Sequence, residues 1–468
     1  MYSDNVVNIF IFRRDLRIED NLALNALQQI APKTPILPIF IFNPIQIDPK
    51  KNKYFGHKTV KFMVECLRSL RLACNDALLF FHGYDLQILE KILKHYVIDT
   101  IAFNRDVTPF AKQRDQQIEI WCEKHKINMI TEEDYTLFPS RTILSESSKP
   151  YEMFTPFYRK CLAKVNMIKI PEYKNIKFFK TKVLSSQKDI DSYFDVPSNT
   201  QLAVEPGRQF ALEILKKIKT RYFQKYEKIR DFPAVDGTTK LSPYLKFGCV
   251  SIREVFDTIN KTHGVNHGLV RELFWREFYA SIMFNFPQLL NSSSNNTFKH
   301  KYNNIPWDNN EMYFKAWCNG KTGYPIVDAA MRQLVSSGWM HNRCRMIVSM
   351  FLVKDLLVDW RKGEQFFASH LIDYDPSSNN GGWQWSSSTG TDSTLYFRVF
   401  SPILQAQKFD PDALYIKKWI PELKNVPAHD ILHWNEKHLK HSNIPYPSPI
   451  VDHKSQVEKS ITLFRKYT

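Results

Sequence analysis

Two hydrophobic periods alternate along the first 135 residues. The helical period occupies residues 21–30, 58–75, 86–96 and 111–126. Between these segments lie short runs rich in β-branched and aromatic residues, which are typical of buried strands: VVNIFIF (6–12), PILPIFIF (35–42), ALLFFHGY (77–84) and TIAFNRD (100–106). Such alternation favours parallel strands with helices on both faces of the sheet. We therefore predict a Rossmann-like α/β domain at residues 1–135.

The alternation stops after residue 135. Residues 136–205 are rich in Ser, Lys and Pro, and we predict an inter-domain connector that lies over the surface. From 206 to 468 the apolar pattern is helical, and nine of the ten tryptophans lie there, which predicts an all-α domain. A chain of 468 residues is longer than one typical hydrophobic core accommodates, which agrees with two domains.

The composition restricts the class of partner and the compartment. A formal net charge of +16 and a pI near 9.3 favour an acidic partner such as nucleic acid, with an anionic membrane surface as the alternative. The seven cysteines form no CxxC pair, which argues against disulfides and a zinc site. The N-terminal residues lack the pattern of a signal peptide, and Lys354 and Asp355 interrupt the longest apolar run. We expect an intracellular, soluble monomer in the cytoplasm or nucleus, without a metal.

Several common catalytic motifs are absent. The GKT at 320–322 is not a phosphate-binding loop, because Lys315 stands where the motif needs glycine. His341 and His370 stand singly, and we interpret both as structural or surface residues. No nucleophile–base pair is apparent.

The predicted helix RELFWREFY is unusual on one face. Glu272, Trp275, Arg276 and Tyr279 share that face, while Phe274, Phe278 and Ile282 line another that can serve the core. The first face either lines a cavity or forms an aromatic packing seam with one ion pair.

Three further segments are candidates for binding. In a predicted helix at 343–360, Arg343 and Met346 share a side, while Arg345 points elsewhere and could neutralise a buried acid. The hydroxyl-rich loop TTKLS (238–242) could bind a phosphate or be an ordinary turn. Residues 373–392, DYDPSSNNGGWQWSSSTGTD, suit neither strand nor helix, yet they contain two tryptophans, which predicts an irregular, polar and aromatic wall.

Together these segments resemble the photolyase–cryptochrome family, and they are most similar to microbial class I cyclobutane pyrimidine dimer photolyases. The resemblance runs from about residue 6 to 455 and includes FRRDLRIEDNLAL, MFTPFYRK, RDFPAVDGTTKLSPYLKFG, ELFWREFY, GKTGYPIVDAAMRQLVSSGWMHNRCRM and NNGGWQWSSSTGTD.

The resemblance implies a non-covalent FAD wrapped by residues 373–392. Asp373, Tyr374 and Asp375 would lie at the polar edge of its ring, with Arg345 paired to Asp373, and Asn379 would face flavin N5. The resemblance further assigns to the diphosphate and its surroundings Tyr226, Thr238, Thr239, Lys240, Leu241, Ser242 and Arg276.

The resemblance also implies light-driven DNA repair. Excited reduced flavin gives an electron to a pyrimidine dimer, the cyclobutane splits, and the electron returns. Glu272 would hydrogen-bond the dimer, Trp275 would stack on it and Met346 would pack against it. The remaining DNA contacts would come from Arg230, Asn342, Arg343, Trp385 and Gln405, and photoreduction of the flavin would use Trp307, Trp360 and Trp383.

Departures from related subfamilies refine these expectations. Asn342 and Met346 stand where (6-4) photolyases have a catalytic histidine pair, so (6-4) repair is disfavoured. The chain ends at Thr468, without the long tail typical of plant and animal cryptochromes. Phe110 and Ala111 replace an Asn-Glu pair that helps to hold a folate antenna, which disfavours folate and favours a deazaflavin antenna or none. Two alternative functions stay open, a cryptochrome-type photoreceptor and a flavin-free basic DNA-binding protein.

Overall fold

A computed structural model of the protein describes residues 5–171, 176–181, 183–184, 201–290 and 296–467. By its internal contacts the chain divides into two compact units. As far as their residues are described, the first unit comprises Met1–Thr200, Val204–Gln224 and Thr239–Pro287, and the second comprises Gln201–Ala203, Lys225–Thr238 and Gln288–Thr468.

The first unit contains a five-stranded parallel sheet. Its strands are β1 Val6–Phe12, β2 Ile36–Phe42, β3 Leu79–His82, β4 Val97–Asn104 and β5 Asn128–Glu132, in the order β3-β2-β1-β4-β5. The central strand β1 pairs with β2 on one side and β4 on the other, and its residues from Val7 to Phe12 are all buried. The prediction of a Rossmann-like parallel sheet is confirmed.

The helices of both units follow in chain order. Helix α8 and the helices from α12 to α21 lie in the second unit, and the other helices lie in the first unit. Their bounds are α1 Leu22–Ile30, α2 Pro44–Ile47, α3 His57–Ala73, α4 Asp85–Leu93, α5 Pro109–His125, α6 Phe154–Ala163, α7 Arg208–Lys219, α8 Tyr226–Ile229, α9 Ser242–Lys246, α10 Ile252–His263, α11 Gly268–Asn285, α12 Glu311–Cys318, α13 Pro325–Ser337, α14 Asn342–Met350, α15 Trp360–His370, α16 Pro376–Ser386, α17 Pro402–Phe409, α18 Leu414–Trp419, α19 Ala428–Leu432, α20 Trp434–Lys437 and α21 His453–Arg465. The prediction of a helical C-terminal region is confirmed.

Two of the predicted segments differ from the structure. The predicted helix 343–360 ends its α-helical part at Met350 and continues as a π-helical turn over Phe351–Asp355. The expectation of a surface connector is wrong for residues 154–163, because they form α6, whose Phe154, Phe157 and Cys161 are buried. Most of the rest of the predicted connector from residue 172 to 200 lies outside the described residues. The division into domains at 136–205 stays a prediction.

A buried ionic cluster joins distant segments of the first unit. The Arg17 guanidinium lies 2.7 Å from an oxygen of Asp134, and Arg253 of α10 contacts both Asp20 at 3.0 Å and Asp134 at 2.5 Å. All four side chains are at most 4 % exposed. Each charge therefore depends on the others, since a buried charge without a partner is strongly destabilising.

No helix in the described parts of the chain is long and apolar enough to span a lipid bilayer.

Candidate functional site

The predicted site residues fall in both compact units. In the first unit are Thr239, Lys240, Leu241, Ser242, Glu272, Trp275 and Arg276. In the second unit are Tyr226, Arg230, Thr238, Trp307, Asn342, Arg343, Arg345, Met346, Trp360, Asp373, Tyr374, Asp375, Asn379, Trp383, Trp385 and Gln405.

The polar, aromatic segment of the second unit is largely a regular helix. Residues 376–386 form α16, so the prediction that this segment suits no regular structure is wrong for them. Asp375 is the N-cap, since its side chain accepts a hydrogen bond from the N–H of Ser378 at 3.1 Å, and Pro376 follows at the first helical position. This cap, the proline and the burial of Trp383 outweigh the weak helix propensity of the Gly, Ser and Asn residues.

One face of α16 lies beside open space. Asp375, Asn379 and Gly382 are spaced i, i+4 and i+7 and therefore share this face. A Cβ atom added to Gly382 would have no atom of the described residues within 4 Å, apart from its chain neighbours and the backbone of its own helix. Ser377 lies on another side of α16, where it is buried and its Oγ has no hydrogen-bond partner in the described chain. Space beside a polar helix face fits a bound polar group such as the flavin implied by the sequence.

The predicted ion pair between Arg345 and Asp373 is present. Their side chains meet at 2.8 Å, and the Asp373 side chain is 2 % exposed. Arg345 also donates from Nε to the carbonyl of Met340 at 2.9 Å. The pair gives this edge of the second unit a fixed arrangement of charge, whereas its role toward a cofactor stays a prediction.

Helix α14 carries three of the predicted DNA-contacting side chains of the second unit. Asn342 is exposed, and its Nδ2 lies 3.8 Å from the sulfur of Met346. Arg343 forms an ion pair with Asp231 at 2.8 Å and lies 4.4 Å from the centre of the Phe409 ring. These contacts hold a cation, an amide and a thioether within the first five residues of the helix.

The other predicted residues of the second unit differ in their burial and contacts. Tyr226 begins α8 and is buried beneath the guanidinium of Arg230, which lies 5.7 Å from its ring centre. Gln405 of α17 has a buried Oε1 without a hydrogen-bond partner in the described chain. Trp385 and Tyr374 are half-buried.

The three tryptophans predicted to transfer electrons belong to one hydrophobic core. Trp383 and Trp360 are buried at 2 % and 1 % exposure, and Trp307 packs against the same core while remaining half-buried. None of their indole N–H groups has a hydrogen-bond partner in the described residues. Gly363 allows Trp383 to lie against α15, because a Cβ there would approach the indole to 2.1 Å.

The hydroxyl-rich loop ends in the first unit. The Oγ1 of Thr239 accepts a hydrogen bond from the N–H of Leu241 at 3.4 Å, and Lys240 has a left-handed backbone with φ of 51°. Ser242 then begins α9. The sequence left a phosphate-binding loop and an ordinary turn open here, and phosphate binding by these residues stays a prediction.

Helix α11 carries the other predicted residues of the first unit. Trp275 is half-buried and lies parallel to Phe154, with ring centroids 3.6 Å apart and planes 6° from parallel. Arg276 donates to the carbonyl of Tyr135 at 2.6 Å and lies 3.8 Å from the centre of the Tyr135 ring. Glu272 is half-buried. The same helix buries Phe274, Phe278 and Ile282, as predicted.

Sequence reasoning missed Glu277 on the same helix. Its two carboxylate oxygens accept hydrogen bonds from the backbone N–H groups of Leu137 and Phe138 at 2.8 and 2.9 Å. Burial raises the pKa of Glu277 to about 7, although both hydrogen bonds oppose this shift. The sequence offers no signal for it, because its partners are backbone groups 140 and 139 residues earlier.

Nowhere in the described chain do three or more His, Cys, Asp or Glu side chains come together in a group that could hold a metal ion.

Comparison with known proteins gives the family. Residues 8–175 match the model described as DNA photolyase, and residues 269–466 match the model described as FAD binding domain of DNA photolyase. A deoxyribodipyrimidine photo-lyase from Synechococcus sp. is 34 % identical, with 98 % of this chain and 96 % of that protein covered. The chain therefore belongs to the DNA photolyase family, and its C-terminal region is an FAD-binding domain.

Solved structures agree with this family. An archaeal photolyase from Sulfolobus tokodaii, crystallised with two FAD molecules, is 36 % identical with a TM-score of 0.83, and 98 % of this chain and 99 % of that chain are covered. A class III photolyase from Agrobacterium tumefaciens is 30 % identical with a TM-score of 0.88, and 100 % and 98 % are covered.

Proposed function

We propose that this protein is a light-dependent deoxyribodipyrimidine photo-lyase that uses FAD to reverse cyclobutane pyrimidine dimers in DNA. The observation that carries the proposal is the half-buried Trp275, whose indole lies flat on Phe154. A rigid, partly exposed aromatic ring is a platform on which a nucleic acid base stacks. A dimer must leave the DNA stack to reach an enzyme site, and such a platform compensates part of that cost.

Further DNA contacts are assigned to individual side chains. Glu272 would hydrogen-bond the dimer, and Met346 would pack against it. The phosphates and flanking bases would contact Arg230, Asn342, Arg343, Trp385 and Gln405. The net charge of +16 supports this partner, because phosphate contacts dominate the affinity of DNA-binding proteins.

The bound FAD would supply the electron that light makes available. Asp373, Tyr374, Asp375 and Asn379 would hold the ring edge, while Tyr226, Thr238, the turn 239–242 and Arg276 would hold the diphosphate. Asn379 donates from Nδ2 to the carbonyl of Glu364 at 3.0 Å, and its Oδ1 would accept a hydrogen bond from the flavin. Trp383, Trp360 and Trp307 would carry electrons inward from the half-buried Trp307.

An antenna chromophore would bind at the carboxyl edge of the sheet in the first unit. In open α/β sheets, ligands bind where strand order reverses, here between β1 and β4. Arg13 follows β1 directly, pairs with Asp115 at 2.7 Å, and has two buried nitrogens, Nε and Nη2, without hydrogen-bond partners in the described chain. An anionic group of a deazaflavin or folate would satisfy them, and fluorescence of chromophore released from the purified protein would identify it.

The deciding experiment is a repair assay. The flavin is reduced chemically, and the protein is illuminated with a thymine-dimer oligonucleotide while thymine absorbance is followed against a dark control. Light-dependent recovery of absorbance supports repair. A flavin-loaded protein that binds DNA without repair would favour the photoreceptor alternative, and a colourless DNA-binding preparation would favour the flavin-free alternative.

A further inference from the structure

His341 is a buried helix cap directly before α14. The side chain is 3 % exposed, and its Nδ1 accepts a hydrogen bond from the N–H of Arg343 at 3.1 Å. An imidazole nitrogen that accepts must be unprotonated, so the ring is neutral with its proton on Nε2. Histidine is an uncommon N-cap, since Ser, Thr, Asp and Asn are preferred.

Burial keeps His341 in its neutral form, while the charges around it act in both directions. Arg343 and Arg345 lie on the helix that it caps, and each is paired with a different carboxylate, Asp231 and Asp373, at 2.8 Å. Burial, followed by the two guanidinium groups, lowers the pKa of His341 to about 4, against the opposing effects of Asp231 and the backbone of Arg230. A protonated ring would add a third cation here and would lose the acceptor that holds Arg343.

The first turn of α14 carries side chains that the proposed function assigns to DNA. Asn342 is exposed, Arg343 is fixed between Asp231 and Phe409, and Met346 lies one turn further along. The cap is the contact that fixes the backbone of this turn, because the first N–H groups of a helix have no partner within the helix.

We propose that His341 is a positioning residue, whose neutral imidazole fixes the first turn of α14 so that Asn342 and Arg343 meet damaged DNA. The inference rests on the proposed function. Asparagine can perform this capping role, because it is a strong N-cap and carries no charge, whereas alanine cannot.

The test compares His341→Ala and His341→Asn in the flavin-loaded full chain. The matched control is Asn310→Ala, which removes the N-cap of α12, where Asn310 accepts from the N–H groups of Met312 and Tyr313 at 2.9 and 3.2 Å. We expect H341A to raise KM for repair about fivefold with little change in kcat, H341N to stay within about twofold of the unmodified chain, and N310A to leave KM unchanged. Amide hydrogen exchange should accelerate at Arg343 in H341A and not in H341N or N310A.

Two results would overturn the inference: an unchanged KM and unchanged exchange in H341A, or a KM in H341N as high as in H341A. Failure of the proposed function has a different signature, namely no repair by the unmodified chain. The exchange measurement needs neither DNA nor light, so it still decides in that case whether His341 fixes the turn.

Discussion

Phe154 and Trp275 form a parallel stack with ring centroids 3.6 Å apart. Phe154 is itself buried at 1 % exposure and contacts Phe278 of α11 edge-on. Its position is therefore set by the core, and the indole that lies on it keeps one orientation before any ligand arrives. A platform oriented in advance loses less entropy on binding than a mobile side chain.

Replacement of Trp275 by alanine should weaken the preference for damaged over intact DNA by about 1–3 kcal/mol, the usual contribution of one stacked base. The measurement is a binding titration in the dark with both DNAs at one salt concentration. Trp275→Phe should retain part of the preference, since phenylalanine still stacks. Equal discrimination by W275A and the unmodified chain would exclude a stacking role.

Trp360→Phe should slow photoreduction of oxidised flavin while repair by the chemically reduced protein continues. Phenylalanine fills most of the buried site but is far harder to oxidise than tryptophan. Absorbance of the flavin under steady illumination measures the first rate, and thymine recovery measures the second. Trp434→Phe is the control, because Trp434 is buried in the same hydrophobic core and should affect neither rate. Loss of both activities in W360F would indicate a structural role instead.

Asp373→Asn should lower flavin content and destabilise the chain. The substitution leaves Arg345 without its carboxylate, and breaking a buried pair costs about 3–5 kcal/mol; because the Arg345 side chain is 27 % exposed, we expect about 1–3 kcal/mol. Urea denaturation and flavin absorbance per chain measure the two effects. Asp412→Asn, at a carboxylate outside the predicted site, serves as the control. A D373N chain with full stability and full flavin content would contradict this prediction.

Glu277 should make the stability of the first unit depend on pH. Its folded pKa of about 7 lies above the usual value of 4.5, so the folded chain binds the proton more tightly than the unfolded chain. This contribution to the free energy of unfolding, about 3 kcal/mol in total, is fully present below about pH 4.5 and is lost as the pH rises to about 7. Urea midpoints across this range measure it, and Glu277→Gln should remove the dependence. Identical pH profiles for the two chains would refute the assignment to Glu277.

Substitution by alanine should affect stability differently at Gly363, which lies beside Trp383, and at Gly382, which lies within α16. Gly363→Ala inserts a methyl group where the Trp383 indole lies and should destabilise the chain by about 1–3 kcal/mol. Gly382→Ala meets no atom within 4 Å among the described residues outside its own helix and should keep or slightly raise stability, because alanine favours a helix. If FAD occupies the open space, G382A should nevertheless lower flavin content. Full flavin content in a stable G382A protein would place the cofactor elsewhere.

Regular periodicity predicted much of the fold. The strands β1 to β4 and helix α11 follow from local patterns, because burial of β-branched runs and of one helix face leaves a direct mark on the sequence. Strand β5 escaped detection because NMITE is exposed at both ends and only partly buried between them. Helix α16 escaped because its cap and the packing of Trp383 decide its structure against the propensities of its residues.

The sequence named candidate site residues but not the contacts that hold them in place. The Arg345–Asp373 pair and the position of Trp275 on α11 agree with the family resemblance. The contacts that hold them do not appear in any local pattern: Phe154 lies 121 residues before Trp275 in the sequence, and Glu277 binds backbone groups. Such supporting contacts depend on tertiary packing, which pairs residues without regard to sequence spacing.

The ionic cluster of Arg17, Asp20, Asp134 and Arg253 has a consequence for synthesis on the ribosome. Arg253 follows its partner Asp134 by 119 residues, so Asp20 and Asp134 leave the ribosome long before their second cation exists. We expect these carboxylates to stay hydrated until α10 emerges, because burial with too few cations is unfavourable. The ionic cluster can therefore close only after more than half of the chain has been made.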